Sequence, residues 1–127
     1  MGAQIKIQAD ELAKAIEEIV GDYTQEVKTA VDNVLGDVAK ETVGKVKEKS
    51  PVRTGAYKRG WTVTKEKTAT NTRFIVRNKT KYMLTHLLEK GHANRGGGFT
   101  EGTPHIAPAE EWAVNEAYRQ VVKEIEG

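Results

Sequence analysis

From about Asp10 to Lys49, apolar residues recur every three or four positions: Leu12, Ile16, Ile19, Tyr23, Val27, Ala30, Val34 and Val38, with Val20, Val31 and Leu35 widening the stripe. That spacing is the signature of one buried helix face and predicts a long N-terminal helix over residues 8–49. Asp10 is placed to cap its start and Glu11 to suit the exposed amide dipoles, while Pro51 stops it from the other side. A continuous helix of about 40 residues would run roughly 60 Å, longer than a compact domain of this size is wide. It is therefore expected to bend, break or project, with Gly21, Gly36 and Gly44 the weak points.

Beyond Pro51 the pattern turns to β. Trp61-Thr62-Val63-Thr64 and Arg73-Phe74-Ile75-Val76-Arg77 are aromatic and β-branched runs separated by the polar stretch Thr68-Ala69-Thr70-Asn71, which predicts a central hairpin in a small antiparallel sheet. Tyr82, Leu84, Leu87 and Leu88 then fit a short amphipathic helix ending at Gly91. A glycine-rich segment from His92 to His105 reads as a mobile loop. Pro108 suits the opening turn of a last helix, with Glu110 and Glu111 near its start and Trp112, Tyr118, Val121, Val122 and Ile125 available for packing. The expectation is one α+β domain over 1–127: a helix over 8–49, a β-rich part over 50–105 and a helix over 106–127.

Charge changes this picture more than composition does. The net charge of +2 conceals a segregation: residues 1–49 carry 7 Lys and 10 Asp plus Glu, residues 50–105 carry 11 basic and 3 acidic residues, and residues 106–127 carry 2 and 5. A basic middle lies between two acidic ends. Its cations, among them Lys58, Arg59, Lys65, Arg73, Arg77 and Lys79, alternate with Tyr57, Trp61, Phe74 and Tyr82. Such a surface could meet nucleic-acid phosphates. A solvated strand face, or docking on acidic protein surfaces, gives the same pattern and is preferred, since no nucleic-acid recognition motif accompanies it.

Catalytic and metal chemistry find little support in the sequence. Cysteine is absent, which removes thiol catalysis, thiolate metal sites and disulfides and fits an intracellular origin. His86, Glu89 and His92 form H-x-x-E-x-x-H, but six residues on a helix turn through about 600° and leave the two histidines on different faces. Gly96-Gly97-Gly98 lacks the Gly-Lys-Ser/Thr ending of a phosphate loop and the G-x-G-x-x-G of a dinucleotide site. Ser50 is the single serine, so a serine nucleophile rests on one hydroxyl. No cofactor, metal or enzymatic activity is expected. No run approaches the roughly eighteen apolar residues of a membrane span, and the first residues lack the basic flank and apolar block of a signal peptide. A soluble protein is expected.

Three motifs in order carry more information: Ser50-Pro51-Val52-Arg53-Thr54-Gly55, then Tyr82 through Glu89-Lys90-Gly91-His92, then Thr103-Pro104-His105-Ile106-Ala107-Pro108-Ala109. Over roughly residues 8–125 the chain resembles the small tail-component family of tailed bacteriophages and prophages, the head-tail joining or tail-completion proteins. It departs at His105, where the family commonly has an aromatic or large apolar residue, and at Arg53, where an acidic or polar residue is often found. The resemblance implies a non-enzymatic virion part of the neck or tail, assembled in the host cytoplasm. Copies would form a homo-oligomeric ring contacting head-completion or connector and tail-terminator proteins, with non-specific contact to passing DNA and none to membrane. On this reading the assembly determinants are Arg53, Thr54, Gly55, Tyr82, Glu89, Gly91, His92, Arg95 and His105. Lys58, Arg59, Lys65, Arg73, Arg77 and Lys79 are the residues that would face DNA. The alternative is a small basic DNA-binding protein using the 50–105 segment.

Overall fold

The computed structural model describes residues 3–8, 18, 25–51, 55–67 and 72–126. The expected cap Asp10 and the stripe positions Leu12, Ile16, Ile19, Val20 and Tyr23 lie outside these residues, as do Gly21, Arg53, Thr54 and the polar run Thr68–Asn71. Helix α1 occupies Gln25–Lys49 and runs without a break through Gly36 and Gly44. Its buried positions are Val31, Val34, Leu35, Val38, Ala39, Thr42 and Val46, the face that the three-four spacing marks out. Thr42 sits in this apolar row because its hydroxyl donates to the Val38 carbonyl at 2.7 Å, so no polar group is left without a partner.

The hairpin forms as expected, with β2 over Trp61–Lys67 and β3 over Thr72–Asn78, antiparallel and in register Val63↔Val76 and Lys65↔Phe74. A third strand was not anticipated. Ile5–Gln8 forms β1 and pairs antiparallel with β3, giving the order β1-β3-β2. Strand alternation puts Ile5, Val76 and Val63 in one cross-strand row and Ile7, Phe74 and Lys65 in the next, both on the core side. Because Gln8 belongs to this strand, the helix expected from residue 8 does not begin there.

Helix α1 packs against all three strands and along the last helix, α4 (Ile106–Glu126), which also meets β1. The buried row of α4 is Ile106, Ala109, Ala113, Ala117 and Val121. Alanine at a four-residue repeat lets two helix backbones approach closely, so small residues line this contact. Trp112 is half-buried and packs against the core, with Lys45 Nζ of α1 5.1 Å from its ring centroid, whereas Tyr118 is exposed, contrary to its expected packing role.

The two helix glycines differ in what surrounds them. A Cβ at Gly36 would lie 3.3 Å from the Phe74 ring, whereas one at Gly44 would meet nothing within 4 Å. Gly44→Ala is therefore expected to stabilise the fold by about 0.5–1 kcal/mol through helix propensity and reduced chain entropy. The urea midpoint should rise with an unchanged slope; a lower midpoint would contradict the placement of Gly44 on an open helix face.

Between β1 and the core, Thr85 acts as a peg. Its hydroxyl accepts the Ala3 amide at 2.7 Å and donates to the Tyr82 carbonyl at 2.8 Å, which ties the chain's start to the segment that follows the sheet.

Candidate assembly interface

The short helix α2 (Ala56–Arg59) starts from Gly55, whose φ of 85° is left-handed and suits glycine. It delivers Tyr57 and, one turn on, Trp61 into the interior. Trp61 Nε1 donates to Ser50 Oγ at 3.0 Å, and Ser50 Oγ donates to the Val46 carbonyl at 2.5 Å. The only serine hydroxyl is thus buried and used to bind the end of α1 to the start of the sheet. Asn78, 2% exposed, donates to the Tyr57 carbonyl at 2.7 Å and accepts the Lys81 amide at 2.8 Å, clamping α2 to the end of β3.

After β3 a 3-10 turn at Tyr82–Leu84 leads into α3 (Thr85–Lys90), so the single short helix expected over Tyr82–Lys90 has a tighter first turn. Glu89 in α3 reaches the start of α4. Its Oε1 accepts the His105 and Ile106 amides, both at 2.7 Å, and its Oε2 accepts the Ala107 amide at 3.0 Å. A helix start leaves four amides without internal partners. Three are taken by Glu89, and the fourth position is Pro108, which has none. The negative carboxylate also sits where the helix dipole is positive. Burial pushes the Glu89 carboxyl up, but the three backbone donors and His105 together outweigh it and hold the group below the usual carboxylate range.

His105 is fully buried and closes the joint. Its Nδ1 lies 2.6 Å from the Thr103 carbonyl and 3.0 Å from Glu89 Oε1. Both are acceptors, which assigns the hydrogen to Nδ1. In the neutral ring Nε2 then accepts from the Tyr57 hydroxyl, 2.6 Å away. Burial, and after it the charge of Glu89, raise the Tyr57 phenol above its ordinary value, so it remains a donor. The rings of Tyr57, Trp61 and His105 meet edge to face, with centroids 5.5–6.1 Å apart.

The segment from His92 to His105, expected to be a loop, contains a second small sheet. Strands β4 (Gly91–Ala93) and β5 (Phe99–Glu101) pair antiparallel. Asn94 N–H donates to the Gly98 carbonyl at 3.0 Å, and Gly97 and Gly98 have φ of 101° and 86°, so the glycine run makes the turn of a hairpin. Gly91 has φ of 88°, and a Cβ there would lie 2.4 Å from the Thr100 carbonyl oxygen; the strand can pass only over a glycine.

The nine assembly residues named from the sequence therefore separate. Glu89, Gly91 and His105 build one buried joint between α3, the hairpin and α4. Tyr82 and Arg95 are exposed, and His92 is half-buried with Nδ1 3.2 Å from the Ala93 carbonyl. Gly55 lies beneath the Arg59 guanidinium, and Arg53 and Thr54 are outside the described residues. The joint also uses Ser50, the first residue of the first motif, and Tyr57 and Trp61, aromatics of the basic segment; none of the three is among the assembly residues named from the sequence. H-x-x-E-x-x-H does not gather a ligand set, because both Glu89 oxygens serve backbone amides.

The basic residues are not gathered on one face. Arg73 and Arg77 lie on the outer side of the sheet, where Arg73 pairs with Glu66 at 2.5 Å. Lys65 is on the core side, its Nζ 5.9 Å from the Phe74 ring centroid. Lys58 and Arg59 ride on α2, and Lys79 follows β3.

The same motifs carry a family assignment. The profile of the family described as "Bacteriophage HK97-gp10, putative tail-component" matches residues 8–91, more than half of the chain. The chain belongs to the HK97-gp10-like tail-component family. That makes it a structural phage protein. The HK97-gp10-like match spans the Ser50–Gly55 motif and the Tyr82–Gly91 segment, and the third motif, beyond it, is joined to the second by Glu89. No curated protein and no solved structure gives a significant match. Among the described residues no helix is long and apolar enough to cross a membrane.

Outside the joint, large apolar side chains face solvent. Tyr82, Met83, Leu87 and Phe99 are about half exposed around α3 and β5, and Val114 and Tyr118 are similarly exposed on α4. In a structural protein of a multi-component particle such patches are candidate contact surfaces.

Proposed function

We propose that the protein joins head to tail in a tailed phage or prophage, as several copies forming a ring at the neck between head-completion or connector proteins and the tail terminator. It acts by geometry and carries no catalytic centre. The observation that carries this reading is the family match over residues 8–91, in a chain whose motifs converge on a structural joint. Among the described residues every buried side-chain nitrogen or oxygen has a partner, and the motif residues Ser50, Glu89 and His105 are occupied in holding elements together. The rigid joint sets the positions of α3, the hairpin and α4, which carry the exposed apolar side chains. Such a protein meets its neighbours through those surfaces, and any contact of its cations with passing DNA is to phosphates without sequence readout.

Deletion of the gene from the phage or prophage that carries it tests the role directly. Electron microscopy of the induced lysate should show separate DNA-filled heads and finished tails, and the purified protein should rejoin them. Intact infectious particles would remove the joining role. The rival DNA-binding reading requires tight duplex binding by the isolated protein that falls steeply with salt.

A further inference from the structure

We infer that the exposed apolar patch on α3 and β5 of one copy docks on the exposed face of α4 of a second copy, in a head-to-tail contact. The inference rests on the ring reading above and names the two surfaces that would build it.

The first surface follows from helical spacing and one close approach. Met83, Leu87 and Gly91 are four residues apart, and the Phe99 ring lies directly over Gly91, within 2.8 Å of where a Cβ would be. Met83 is 61% exposed, Leu87 45% and Phe99 57%. Residues 79–101 contribute Lys79, Lys81, Lys90 and Arg95 against two carboxylates, Glu89 and the exposed Glu101 of β5, and the first of these is held by the amides of α4, so the balance is basic. The patch is apolar with a basic rim.

The second surface is its complement. Ala107, Glu110, Glu111, Val114 and Tyr118 share one exposed face of α4, and with Asn115 the first four line a shallow depression. Val114 is 62% exposed. The charges on this face are the carboxylates of Glu110 and Glu111; Glu116, further along, is paired with Arg119. This face is apolar with an acidic rim.

Each chain thus carries one patch of each kind. Apolar centres supply contact area, and opposite rims select the pairing and disfavour patch-to-like-patch contacts. Two different surfaces joined in this way make a heterologous contact, which closes into a ring when the rotation permits.

Sedimentation velocity on the full chain and on two surface variants, Leu87→Glu and Val114→Glu, tests the inference; urea unfolding checks that both remain folded. The wild type should show mass rising with concentration, less so at high salt. Each variant alone should associate at least about 100-fold more weakly, as expected for a charge set against an apolar anchor. Mixed in equal amounts, the two variants should form a heterodimer and nothing larger, because one intact patch meets one intact face and the outer surfaces are dead. A wild type that stays monomeric, variants that associate like it, or a mixture without heterodimer would each overturn the inference. The neck role is scored separately in the deletion lysate: if heads and tails accumulate unjoined and Leu87→Glu restores particles as well as the wild type, the docking surface is wrong and the role stands. Intact particles in the deletion remove the role whatever the sedimentation shows.

Discussion

Glu89→Ala is expected to lower stability by about 3 kcal/mol, well above a typical surface substitution, because one truncation strips three amides of the α4 start of a charged partner. His105 loses its carboxylate neighbour in the same step. Glu89→Gln, which keeps an acceptor oxygen and loses the charge, should cost about 1–2 kcal/mol. Urea unfolding gives both values. Amide exchange at Ile106 and Ala107 should accelerate, since opening there would no longer break charge-assisted bonds. A Glu89→Ala protein within about 0.5 kcal/mol of wild type would mean that the carboxylate is not the cap.

The same residue sets a pH dependence whose sign is determined by its lowered folded-state value. The unfolded carboxyl titrates near 4.3, and the folded one lower. The stabilisation is therefore present in full above the unfolded value and is lost as pH falls through the folded one. Wild type should exceed Glu89→Gln near neutrality, and the gap should close below about pH 4.5. A gap that persists undiminished to pH 3 would assign the effect to packing.

What could be read from sequence follows from how each element is stabilised. Helix α1 was legible because Val31, Val34, Leu35 and Val38 bury a continuous apolar face, and the β2–β3 hairpin because its strands alternate strongly around a polar break. Strand β1 has only Ile5 and Ile7 to mark it, and its partner β3 is more than sixty residues away in the chain; short-range patterning carries no such pairing. The hairpin at 91–101 is stabilised by backbone geometry at Gly91, Gly97 and Gly98, with every side chain of β5 exposed, so it offers no hydrophobic alternation. On α4 the large residues drew attention, yet the contact with α1 is made by Ala109, Ala113 and Ala117, because close approach selects for small volume. The residues of the joint were partly legible: Glu89, Gly91 and His105 stood out as motif members, but not that one carboxylate would connect the second motif to the third. Ser50 stood in the first motif and Tyr57 and Trp61 are ordinary residues in sequence, and only folding brings the three to His105.

His105 and Tyr57 are expected to be energetically coupled. Tyr57→Phe leaves the fully buried Nε2 of His105 without its donor, and His105→Phe leaves the Tyr57 hydroxyl without its acceptor. Each should destabilise by about 1–3 kcal/mol, the penalty for stranding a buried polar group. The double variant replaces both partners with apolar rings of similar shape and keeps the edge-to-face packing against Trp61. It should therefore be more stable than the sum of the single effects implies, by about 1–2 kcal/mol in a double-mutant cycle. His105→Phe also withdraws a donor from Glu89 and Thr103; the exposed Thr103 segment can turn its carbonyl to water, and Glu89 retains the Ile106 and Ala107 amides. An aromatic ring thus fits this site sterically, and what makes histidine the better residue here is the hydroxyl of Tyr57 on one side and the carboxylate of Glu89 on the other. Additive single effects would show that the 2.6 Å contact contributes nothing to stability.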